Sequence, residues 1–197
     1  MTGVVTWPPC ATIRRSPITA LKELKELKVI PQGMSSHCLS IKETTEAGMA
    51  IEYRLTLAGT TQFEGVAERA LPDPGERPVG TGSPLSVDLF RDLGFAVFVA
   101  TGRNGYLDVE SDEGPWEWEP DFYVSVTFRM DKEADPQWKV ANMLTVVRRV
   151  LDTGSEDAVL VLNGDYVLLT RFGGELVKHR REGWWTSYAA ADSIIPG

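Results

Sequence analysis

Hydrophobic and polar positions fall into strict alternation from residue 51. Ile51, Tyr53, Leu55 and Leu57 lie on one side, and Glu52, Arg54 and Thr56 on the other. A period of two predicts a half-buried strand. The segment 60–71 then changes period. Phe63, Val66, Ala67 and Ala70 make a helical face, and Thr61 with Glu64 has the spacing of a capping box. Residues 72–84 carry several turn signals. A short helix is expected over 87–93, ending at Gly94, followed by strands at 95–101 and 106–110 with a turn at "GRNG" between them. The clearest strand is "FYVSVTFRM", where Phe122, Val124, Val126, Phe128 and Met130 alternate with Tyr123, Ser125, Thr127 and Arg129. Asp135-Pro136 opens a strong helix with an N-cap residue and a proline at N1. Its stripe is Val140, Met143, Leu144, Val147, Val150 and Leu151, and Gly154 lies just beyond its end. Three strands close the chain, at 158–162, 166–171 and 175–179, with turns at Asn163-Gly164 and Gly173-Gly174.

Tight turns between successive strands imply a mainly antiparallel sheet with the helices packed on one face. The expected fold is α+β in two layers, spanning residues 49–197 as a single domain. Residues 1–48 show no clear period and read as a poorly ordered leader. "WPPC" and "RRSP" break structure there, and 18–30 could form one marginal amphipathic helix or a partner-docking arm. A start codon assigned too far upstream also accounts for the leader. Thr45-Glu46-Ala47-Gly48 can be encoded ACG-GAG-GCC-GGC, which places GGAGG just before the Met49 codon.

Charge sharpens this division. Residues 1–48 hold six basic and four acidic residues, whereas 49–197 hold 14 basic and 24 acidic ones. An acidic domain repels nucleic-acid phosphates and attracts basic partners, although ordinary solubility also accounts for such a balance. No apolar run reaches membrane-spanning length, and no apolar segment follows Arg14 and Arg15, so a cytoplasmic protein is expected. Both cysteines, Cys10 and Cys38, precede residue 49, which leaves the domain without a thiol nucleophile, a disulfide framework or a cysteine-based metal site. No cofactor is called for.

Candidate chemistry concentrates in "DVESDEGPWEWEPD", between Asp108 and Asp121. Residues 108–119 approach a calcium loop, with Asp108, Glu110 and Asp112 at positions 1, 3 and 5 and Glu119 at position 12. Glu113 occupies the place where the sharp turn needs glycine. Asp108, Glu110 and Glu119 could instead serve a carboxylate hydrolase, with or without a metal, but only if a cleft gathered them. The acids appear along an exposed hairpin, interleaved with aromatics, which is a surface pattern. A binding surface is therefore the third reading: Trp116 and Trp118 as anchors near Tyr123, with Glu117, Glu119 and Asp121 (and nearby Asp112 and Glu113) steering a basic partner. An indole packed in the core with a solvated acidic rim would produce the same pattern. His179 lacks a nucleophile motif and reads as an exposed strand-end residue; "TGRNG" and "GTGSP" lack the ending of a phosphate loop and read as turns.

Beyond these local patterns, "YVSVTFRMDKE" (123–133), the helix after it and "DAVLVLNGDYVLLTRFGGELV" (157–177) resemble the Sit-type immunity proteins of bacterial polymorphic toxin systems. "MAIEYRLTLAG", "LFRDLGF" and the late "WWT" fit the same family. The resemblance runs from about Met49 to Ser193 and begins where Met49 stands. It implies a cytoplasmic non-enzyme that binds a cognate toxin and so protects the cell. The matching motifs are core and turn residues, so the resemblance assigns no binding residue. A general interaction domain unrelated to toxins is the remaining alternative.

Overall fold

A computed structural model describes residues 51–197. The leader, the 18–30 helix, both cysteines and the Met49 start lie outside the described residues. The chain runs β1 (Glu52–Ala58), α1 (Phe63–Ala70), β2 (Leu85–Leu89), β3 (Phe95–Arg103), β4 (Leu107–Ser111), β5 (Gly114–Trp118) and β6 (Phe122–Met130). It continues through α2 (Pro136–Asp152), β7 (Ala158–Leu162), β8 (Tyr166–Phe172), β9 (Glu175–Lys178), one π-helical turn at Arg181–Trp185 and α3 (Ala191–Ile194).

The fold is dominated by a nine-stranded sheet, ordered β2-β3-β6-β1-β7-β8-β4-β5, with β9 also paired to β8. Every pairing is antiparallel except a single parallel bridge between Glu110 of β4 and Tyr166 of β8. Leu55 faces Val126 on one side and Leu160 on the other, so the alternating apolar residues of β1, β6 and β7 share one face. That face, with Phe95, Val97 and Val99 of β3, joins Val66, Ala67 and Ala70 of α1 and the whole predicted stripe of α2 in the main core. Each such buried aliphatic or aromatic side chain contributes about 1.5–3 kcal/mol. The helix start at α2 is as expected: Asp135 accepts the Trp138 N–H at 2.8 Å and Pro136 is the first helical residue.

Two local expectations fail for tertiary reasons. The predicted 87–93 helix is instead the end of β2 and a turn. Leu85–Leu89 pairs with β3, and the Leu89 carbonyl closes a single turn by accepting from the N–H groups of Asp92, Leu93 and Gly94, at 3.2, 2.8 and 3.1 Å. The capping box at α1 does not form. Gln62 holds the N-cap without a side-chain bond, and the Thr61 hydroxyl donates instead to Glu156, at 3.0 Å. Long-range partners thus displace local ones at both sites.

A second, smaller core lies on the reverse of the sheet. Val159, Val161 and Val167 point away from the main core and are covered by Val109, Leu107, Trp116 and Trp118 of the β4–β5 hairpin and by Phe172. A bulge in β8 makes this possible. The register slips between Leu160 and Val161, leaving Leu168 and Leu169 consecutive in the main core while Val167 and Phe172 serve the reverse face. The bulged carbonyl of Leu168 accepts from His179 N–H at 2.9 Å and Trp185 Nε1 at 3.1 Å.

Candidate functional site: an acidic hairpin on the reverse of the sheet

The hairpin places apolar groups inward and acids outward by the simple alternation of its two strands. Leu107 faces Trp118 and Val109 faces Trp116 across the pair, and these four pack on the second core. Trp116 and Trp118 are half-buried, and both contact Phe172, at ring-centroid distances of 6.1 and 5.5 Å. The indoles therefore hold the hairpin against β8, and part of each remains exposed. On the outer face stand Asp108, Glu110, Pro115, Glu117 and Glu119, all exposed.

Asp108 sits directly opposite Glu117, an arrangement of like charges that opposes strand pairing. From Asp108 to Asp121 the chain has seven acids and no base, and none of these acids makes a salt bridge among the described residues. Their field reaches Tyr106. Desolvation, then the carboxylates of Glu117, Asp108 and Glu119, push its phenol above the ordinary value.

At the tip, both oxygens of Asp112 accept the Arg180 backbone N–H, at 3.0 and 2.9 Å. The Arg180 guanidinium lies 4.0 Å from the Tyr166 ring centroid, beside the Glu110–Tyr166 bridge. At the other end, Asn104 and Gly105 donate backbone N–H bonds to Asp121 and Pro120. Asp121 is thus exposed at the root of the hairpin, apart from the outer face of β4 and β5. Tyr123 lies across Gly102 and Gly105. A Cβ at Gly102 would stand 2.3 Å from Tyr123 Cζ, so the "TGRNG" turn is also a seat for this ring.

The rival chemistries fit this geometry poorly. Residues 108–119 form two strands and a tight turn, and Asp112 is engaged by backbone. Among the described residues no three His, Cys, Asp or Glu side chains come together to hold a metal. Glu119 lines an open groove with Asn104, Gly105, Tyr106, Pro120 and Asp121, which neither Asp108 nor Glu110 enters. His179 follows β9 half-buried, its Nε2 3.5 Å from Thr170 Oγ1. Sequence reasoning missed Phe172, Val159, Val161, Val167 and Arg180 as supports of the hairpin. The double-sided apolar run of β7 was a signal for a second covered face.

A protein-family model described as SitI3-like matches residues 51–189. No curated protein and no solved structure matches the chain significantly. No helix among the described residues is long and apolar enough to cross a membrane.

Proposed function

Because the chain belongs to the SitI3-like family, we propose that it is a cytoplasmic immunity protein that binds and neutralises a cognate, basic toxin. The observation that carries the reading is the outer face of the β4–β5 hairpin, where exposed carboxylates stand together without an ion pair among the described residues. Like charges kept adjacent against their own repulsion are expected where a partner supplies the compensating charge. In this reading Glu117, Glu119 and Asp121 steer and contact the toxin. Trp116 and Trp118 hold the displaying strand in place and offer their exposed edges as anchors. The toxin is met by binding, with no catalytic step on this chain.

Co-expression with toxin domains of polymorphic toxin systems, a domain encoded beside this gene first if there is one, tests the proposal. The wild-type chain restores growth, and the Glu117→Lys/Glu119→Lys variant, which leaves both cores intact, loses most of that protection. Full protection by the charge-reversed variant would move the interface elsewhere. Failure of the wild type to protect would overturn the immunity reading itself.

A further inference from the structure

β5 is the last strand at its end of the sheet, so one of its two edges meets no other strand among the described residues. The direction of the backbone groups on that edge follows from the pairing on the other. Glu110 N–H turns away from β5 and donates to Asp165 C=O, at 2.8 Å. Its partner Pro115 therefore sits at a non-hydrogen-bonded position of the β4–β5 pair. Two residues on, Asp108 and Glu117 form the next such position. The N–H and C=O of Glu117 and the C=O of Pro115 thus point outward along the open edge. Proline is tolerated at 115 because the N–H it lacks would have faced solvent.

The two faces of this edge differ in a regular way. Pro115 and Glu117, with Glu119 just beyond the strand, are exposed on the outer face, and half-buried Trp116 and Trp118 lie on the inner one. Short length, proline and charge keep open edges from pairing with copies of themselves, and the acids here repel a second acidic edge. They attract a basic one. A strand added beside β5 would set alternate side chains next to Glu117 and Glu119, and the intervening ones against the exposed parts of the two indoles.

We propose that the β5 edge takes its partner by strand addition, the occupant being an extended segment of the toxin in which basic and apolar residues alternate. Main-chain bonds to Glu117 and to the Pro115 carbonyl fix the register of the added strand. Its Lys or Arg side chains meet the outer acids, and its apolar side chains cover Trp116 and Trp118. Strand addition rests on the reading of the hairpin as the toxin-facing surface, and gives the bound segment a conformation and a sequence pattern.

An end-blocked peptide of about nine residues with lysine and valine in alternation is the probe. A peptide of the same composition, with its lysines and valines in two blocks, is the control. Each is titrated at one fixed salt concentration into the isotopically labelled full chain. Saturable amide shifts centred on 115–119 are expected, and the alternating peptide binds at least about tenfold tighter than the block peptide. At saturation, exchange of the Glu117 amide hydrogen slows at least about tenfold, because it is then hydrogen-bonded. Glu117→Gln weakens both peptides and keeps the preference between them, whereas Glu117→Pro, which removes the outward N–H, loses it. The peptide comparison and the exchange rate decide the matter even if Glu117→Pro does not fold. Equal affinities, the absence of saturable shifts on β5, or a Glu117 amide that exchanges equally fast with and without peptide overturns strand addition. Co-expression keeps the two readings apart. Protection without a preference for the alternating peptide removes strand addition alone, and a preference without protection removes the immunity reading alone.

Discussion

At the scale of single residues, the structure is held by a few polar side chains whose partners are far away in sequence. Glu156 is the clearest. Burial alone would raise its carboxyl, but hydrogen bonds from Arg69, its own backbone and Thr61 outweigh burial and hold it at about 2. Arg69 meets both its oxygens, at 2.6 and 3.0 Å. Arg171, itself buried, closes the end of α2 through the carbonyls of Leu151, Gly154 and Glu156. Gly154 leaves the room for this network, since a Cβ there would collide with Arg69. Glu156→Gln is expected to destabilise by about 3 kcal/mol at pH 7, because Arg69 and Arg171 keep a charge that has lost its counterpart. The carboxyl is depressed in the folded state from an ordinary 4.5. Its contribution is therefore complete above that value and is lost as pH falls through about 2. Urea unfolding of both proteins at pH 7 and at pH 2.5 checks this: the gap between them should narrow in acid. An equal gap at both pH values would place the effect in packing.

Elements show which rules of local pattern survive folding. Strict alternation located β1 and β6, and the Asp135-Pro136 start located α2, because in each the burial pattern and the local propensity agree. The 87–93 segment misled because Val87, Leu89 and Leu93 satisfy a helical spacing as well as a strand one, and only pairing with β3 decides. β5 was hidden inside an acidic stretch whose composition marks surface and says nothing of strand. The site was legible in the same partial way. The exposed acids could be read from charge, and an indole packed inward was one of the readings the pattern left open, but that both Trp116 and Trp118 pack on Phe172 depends on a bulge in another strand. This division makes the hairpin a separable unit. Trp118→Ala is expected to destabilise it by about 2 kcal/mol, the worth of a partly buried aromatic. Hydrogen exchange should then quicken over 107–118 while β1 and β6 keep their protection. Uniform acceleration across the sheet would mean that the hairpin is integral to the main core.

For the molecule as a whole, a mostly antiparallel nine-stranded sheet shares a main core with α1 and α2, and a separate small core is capped by an acidic hairpin. The described chain is strongly acidic, and its hairpin gathers acids without internal cations. Such a field raises the rate of encounter with a basic surface more than it deepens the final complex, and salt weakens it. Association kinetics therefore test the central claim most directly. The toxin domain that the wild-type chain neutralises in co-expression would be mixed with wild-type protein and with Glu117→Lys/Glu119→Lys over a range of salt. The predicted result is a wild-type association rate that falls steeply with salt, and a variant at least about tenfold slower at low salt with little salt dependence. Equal rates and equal salt slopes for the two proteins would contradict the account.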